Sequence, residues 1–172
     1  MNATYKRALK TLSIITVTLA LLVVVILIDL AQQSKPATSV GLLGDKLQPC
    51  PTTANCVLSE ESTQTEHFIP ALELMMPRDT TPATLIESTM VVITSMGGVI
   101  KTHQDNYLLA TFSSAIFGFI DDLEVRLISN HPNRQSFTLH FRSASRVGKS
   151  DFGANRKRVE LLKSLLLKRK KP

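Results

Sequence analysis

An uncharged stretch from Thr11 to Ile28 constrains this chain more than any other feature of it. Wound as a helix at about 1.5 Å per residue, its 18 residues reach about 27 Å, close to the thickness of a bilayer's hydrocarbon core. A helix pairs every backbone polar group internally, as that environment demands. Lys6, Arg7 and Lys10 precede the run and Asp29 closes it, a distribution that predicts a cytoplasmic N-terminus and export of the remainder of the chain. The competing reading is a cleaved signal peptide. Against it, the run exceeds the usual apolar core of about 7–15 residues, and Leu22 to Leu30 offers no small-x-small cleavage site; Asp29-Leu30-Ala31-Gln32 is a poor substitute. No cysteine lies just after the run, which argues against a lipid-anchored N-terminus. The reading adopted is a cytoplasmic segment over 1–10 and a signal-anchor helix over 11–30, crossing the inner (cytoplasmic) membrane once.

Residues 31–40 are polar, contain Pro36 and follow neither apolar period, so they read as a linker. The rest divides into a periplasmic or otherwise extracytoplasmic domain over 41–167 and a basic tail over 168–172. Roughly 120 residues suit a single core. Charge is unevenly spread. Ala31 to Asn133 holds five Lys/Arg against eleven Asp/Glu, whereas Arg134 to Pro172 holds twelve against two. Such asymmetry fits either a basic binding face or two halves that neutralise each other on folding.

Cys50 and Cys56 lie in Cys50-Pro51-Thr52-Thr53-Ala54-Asn55-Cys56. In an exported domain this spacing reads as a short disulfide loop, with Pro51 and Asn55 helping the chain turn. A metal site is the alternative, but no second close Cys or His pair accompanies the two cysteines. Neither a CxxC redox motif nor a CxxCH haem motif occurs, and neither metal nor cofactor is expected.

Thr81-Pro82 has the form of an N-cap followed by proline, and apolar residues from Leu85 to Met96 keep helical spacing until Gly97-Gly98. Strands are predicted over Val99–His103, Tyr107–Phe112, Phe119–Ile128 and Ser136–Arg142, the last two separated by Asn130-His131-Pro132-Asn133. Asn155 is placed to cap a final helix from Arg156 to about Leu167. The expectation is an α+β fold: a small antiparallel sheet of about four strands with two flanking helices, preceded by the transmembrane helix.

At this point the motifs resemble those of domain-of-unknown-function family 1499. They are Phe117-Gly118-Phe119-Ile120-Asp121-Asp122-Leu123-Glu124, then Arg142-Ser143-Ala144-Ser145-Arg146-Val147-Gly148-Lys149-Ser150-Asp151-Phe152-Gly153-Ala154-Asn155-Arg156-Lys157-Arg158-Val159-Glu160, together with Pro49-Cys50-Pro51 and Asn55-Cys56-Val57. The likeness covers about Gly41 to Leu166. It implies a small protein of a bacterial envelope or plastid, with no established reaction, cofactor or substrate. Ala54 and Leu58 depart modestly from the Ser/Pro-rich cysteine loop of that family, without disturbing the paired cysteines.

Strand parity isolates unusual residues. Phe119, Leu123, Val125 and Leu127 share one face with Asp121, a carboxylate that needs an Arg, a backbone donor or an ion if buried. Asp122, Glu124 and Arg126 point the other way, as do His140 and Arg142 on the next strand, so Arg142 is placed to pair with Asp122 or Glu124. Arg142, Ser143, Ser145, Arg146, Asn155 and Arg156 form a candidate anion- or partner-binding segment. The plainer reading makes Asp121, Asp122 and Asp151 structural partners of those arginines. A hydrolase alternative uses His140, Ser143 or Ser145, and Asp121 or Asp122, although GxSxG, HExxH, Walker and dinucleotide motifs are all absent. The tail Lys168-Arg169-Lys170-Lys171 suits anionic headgroups or the helix dipole. Nucleic acid is not expected, since the domain faces away from it and no aromatics interleave the basic residues. The leading expectation is a non-catalytic envelope domain binding a protein partner, lipid headgroup or other anion; a purely structural accessory subunit of a membrane complex is the third reading.

Overall fold

The computed structural model describes residues 3–36, 40–60, 66–131 and 136–169. Helix α1 (Ala3–Gln33) contains the apolar run, and it is the one helix among the described residues long and apolar enough to cross a membrane. It extends past the expected 11–30 at both ends. Side chains are exposed from Thr4 to Ile26; only the last two turns approach the domain, through half-buried Leu27 and Leu30 and buried Ala31 and Ser34. Their spacing is that of one helical face.

After a two-residue hairpin, β1 (Leu42–Leu43) and β2 (Lys46–Leu47), the chain forms β3 (Cys56–Leu58), β4 (Leu72–Met75) and α2 (Pro82–Ser95). There follow β5 (Val99–Gln104), β6 (Tyr107–Ser113), β7 (Ile120–His131), β8 (Ser136–Ser145) and α3 (Ala154–Arg169). Thr81 caps α2 as the sequence predicts, in a reciprocal pair with Thr84. Gly97 then turns the chain at φ +88° and Gly98 lets Ile93 and Phe112 close over the backbone, where an added Cβ would lie 2.6 and 2.7 Å from them.

The main sheet is antiparallel and has six strands, not about four. Its order is β3-β8-β7-β6-β5, with β4 beside β3 along the same edge of β8. The two additional strands are short. Leu72–Met75 pairs with Ser136–Leu139, and Cys56–Leu58 pairs with Arg142–Ala144. Both take strand form from β8, which runs three residues beyond its expected end. The Cys50–Cys56 disulfide closes a loop against β3, and a loop this short is worth about 2 kcal/mol of chain entropy.

Helices α2 and α3 cover one face of the sheet. Ile86, Ile93, Leu123, Val125, Leu139, Phe141, Val159 and Leu162 fill the space between, all nearly or wholly buried. Unlike a half-solvated antiparallel sheet, this one is also covered on its second face over β6, β7 and β8, while β5 stays exposed. The chain on either side of β3, at Gly41–Leu47 and Ser59–Glu60, lies there, with Leu47, Leu58 and Tyr107 in a smaller apolar cluster. Both faces of β7 are therefore buried between Asp122 and Leu127.

Two further expectations need revision. Asn155 does not cap α3 from outside; it lies within the first turn, and Asp151 caps by accepting from the backbone N–H groups of Gly153 (2.9 Å) and Asn155 (2.7 Å). The stretch read as a linker is held at its start, because Ser34 Oγ accepts from Ile120 N (3.0 Å) and Arg146 donates to the carbonyls of Ser34, Lys35 and Pro36. Residues 37–39, Pro132 and Asn133 of the turn, and 170–172 of the basic tail lie outside the described residues.

Candidate functional site

Strand parity divides the polar residues between two faces. On the face under Gly41–Leu47 and Ser59–Glu60, β7 presents Asp122, Glu124 and Arg126 while β8 presents His140 and Arg142. Glu124 is fully buried and accepts three hydrogen bonds: from Tyr107 Oη (2.8 Å), Gly41 N (2.9 Å) and Arg142 (2.8 Å). Burial, reinforced by that carboxylate, pushes the Tyr107 phenol well above its usual pKa. Asp122 receives a two-pronged bond from Arg146 (2.7 and 2.8 Å), which raises the guanidinium pKa and leaves its remaining nitrogen for the carbonyls after α1. Arg126 pairs with Glu60 (2.6 Å), whose other oxygen accepts from Leu47 N.

On the helix-covered face, Asp121 accepts from Arg158 of α3 at 2.6 Å. That guanidinium lies over the Phe112 ring (4.6 Å) and also donates to Ser143 Oγ and Asn155 Oδ1. Asn155 itself bonds Ser143 Oγ (2.6 Å), Ser145 Oγ (3.1 Å) and Asn55 O (3.0 Å), so it ties α3 to β8 and to the cysteine loop. Asn55 continues the link by donating to Gly148 O (2.8 Å). Arg156 reaches away to Glu66 O (2.8 Å).

The six candidate binding residues thus do not form one surface. Arg142 and Arg146 are on one side of the sheet; Ser143, Ser145 and Asn155 are on the other; Arg156 is on the exposed flank of α3. Contiguity in sequence becomes separation in space because alternate residues of a strand point oppositely. The acidic and basic halves meet in Asp121–Arg158, Asp122–Arg146 and Glu124–Arg142.

The hydrolase residues do not converge either. His140 has its back to Ser143 and Ser145, and the hydroxyl beside it is that of Ser59, at 3.2 Å from Nδ1. Ser59 Oγ already accepts from Phe141 N (2.8 Å), and the nearest carboxylate, Glu60, faces the same Nδ1 at 3.9 Å. A relay needs nucleophile and carboxylate on opposite ring nitrogens. Ser59, Glu60, Tyr107 and Arg158 were absent from the sequence-derived site. Arg158, three residues from Asn155 and next to apolar Val159, carried the clearest helical-spacing signal.

His140 gives the domain a pH dependence of defined sign. Burial lowers its pKa below the usual imidazole value, Glu60 pulls the other way, and Arg126 adds to the depression. The unfolded chain therefore holds this proton at higher pH than the folded one. Stability should fall as pH drops below about 6.5, through the window down to the folded pKa. Urea midpoints from about pH 7 to about pH 5 should decline more steeply for the wild type than for His140→Gln. Parallel declines would show that His140 carries none of the effect.

These features define a class: an α+β domain, disulfide-bonded and laced with buried ion pairs, borne on a helix able to cross a membrane. The family model described as protein of unknown function DUF1499 matches residues 46–166, most of the chain. The chain belongs to that family. No curated protein matches it.

Proposed function

We propose that this is a single-pass membrane protein with its N-terminus in the cytoplasm and an extracytoplasmic, non-catalytic domain that serves as a rigid accessory module of the cell envelope. Lys6, Arg7 and Lys10 before the apolar run support that sidedness, as does the disulfide, which persists in oxidising compartments. One observation carries the accessory role: Arg146 binds Asp122 and the three carbonyls that come after α1, so the family motif locks the domain to the root of its own anchor. This favours an architectural use of the arginines over an open anion site, because Arg142, Arg146 and Arg158 are each engaged with a carboxylate.

Arg146→Lys tests the lock. Lysine keeps the charge beside Asp122 but lacks the planar fork that bonds carboxylate and carbonyls together. In the full chain reconstituted in bilayers, energy transfer from a fluorophore at position 105 to labelled headgroups should report one narrow distance for the wild type and a broad one for the variant. Equally broad distributions in both would show that the domain swings freely on its anchor.

A further inference from the structure

The register places three loop ends together. β6 finishes at Ser113, β7 starts at Ile120 and β8 finishes at Ser145, all at one end of the sheet. Helix α1 meets the domain at that same end, through Ser34 against Ile120 and Arg146. Because α1 is bare from Thr4 to Ile26, it leads away from the sheet instead of lying along it. Asp29, which ends the apolar run, stands five residues before Ser34, about 7–8 Å of helix. The loops at this end therefore lie near headgroup depth whenever α1 spans a bilayer.

Those loops carry apolar side chains that the fold does not use. Ile116, between β6 and β7, is 85% exposed, and Phe152, between β8 and α3, is 93% exposed. Phe152 is also the one non-glycine with positive φ (53°) among the described residues, a conformation that turns the chain at the loop tip. Both loops are flanked by cations. Lys149 is exposed three residues before Phe152, and Lys35 and Lys101 border an open cleft of about 390 Å³ beside Phe117 and Arg146. No acidic partner holds any of these three lysines among the described residues.

We infer that this end of the domain is a second membrane contact: Ile116 and Phe152 enter the interfacial region of the bilayer that holds α1, while Lys35, Lys101 and Lys149 face its anionic headgroups. Exposed apolar tips ringed by lysine match what that boundary solvates, an apolar body below and charge above. The inference rests on the membrane-spanning reading of α1, and it extends the lock to a three-point seat.

The chain contains no tryptophan, so single replacements act as clean depth reporters. The full chain would be placed in vesicles of mixed neutral and anionic phospholipid, with tryptophan in turn at Leu19→Trp, Ile116→Trp, Phe152→Trp and Asp105→Trp. Asp105 lies in the β5–β6 turn at the opposite end of the sheet. Retention of the disulfide on non-reducing gels and an unchanged far-UV spectrum establish folding for each variant. Lipids brominated near the head of the acyl chain should quench most emission at 116 and 152 and leave 105 bright; lipids brominated deep in the chain should quench 19. If 19 is quenched while either 116 or 152 stays as bright as 105, the second contact is wrong and the anchor stands. If 19 is not quenched, the anchor reading fails, and this inference with it.

Discussion

Glu124→Ala should destabilise the domain by about 3–5 kcal/mol, the usual penalty for removing one partner of a buried ion pair. The carboxylate is fully buried and serves three donors from three parts of the chain: Tyr107 on β6, Gly41 ahead of β1, and Arg142 on β8. Its removal strands the Arg142 guanidinium, whose Nε already lacks a hydrogen-bond partner among the described residues. Glu124→Gln should be only a partial repair, since an amide that accepts from Tyr107 and Gly41 turns its own NH₂ toward Arg142. The double replacement Glu124→Met with Arg142→Leu should recover most of the loss, because an apolar pair needs no counter-charge. Urea unfolding in detergent micelles, monitored by far-UV circular dichroism, gives all three values. A loss under about 1 kcal/mol for Glu124→Ala would mean that water reaches this site and replaces the carboxylate.

Arg158→Ala should cost about 3 kcal/mol or more on the opposite face. It leaves Asp121 facing the helix layer without its counter-ion, removes donors to Ser143 and Asn155, and uncovers the Phe112 ring. Arg158→Lys should fall between wild type and alanine: charge survives, but one ammonium cannot serve the carboxylate and the Ser143–Asn155 pair while stacking on the ring. Equal stability of the lysine variant and the wild type would reduce the cluster to a simple charge pair. Because Glu124 and Arg158 act on opposite faces of the sheet and share no partner, their losses should add within about 0.5 kcal/mol.

Much of this arrangement was legible in the sequence, and the reasons differ by element. Period-two alternation in β7 and β8 assigned Asp121 to one face and Asp122, Glu124, His140 and Arg142 to the other, because a strand's parity is a local property. That a buried Asp121 needs a partner came from solvation alone. The identity of that partner did not, since Arg158 reaches it only once α3 docks. β3 and β4 were unreadable for a similar reason: three and four residues carry too little pattern, and their strand form is imposed by β8. Adjacency misled in the arginine-rich segment, where neighbours in the chain lie on opposite faces. The residues after α1 looked like a tether because the side chain that holds them, Arg146, lies more than 100 positions away.

The interleaving of first and last segments also bears on the order of events at synthesis. Cys56–Leu58 pairs with Arg142–Ala144, beside a single bridge from Leu58 to Phe68, and Gly41 N donates to Glu124 on β7. The disulfide, by contrast, joins residues six apart and needs nothing downstream. A chain emerging from its N-terminus can thus close the cysteine loop early, while the segment around it waits for the C-terminal third. Until β8 arrives the acidic half has few of its counter-ions, and the sheet lacks the strand that joins β3 and β4 to β7.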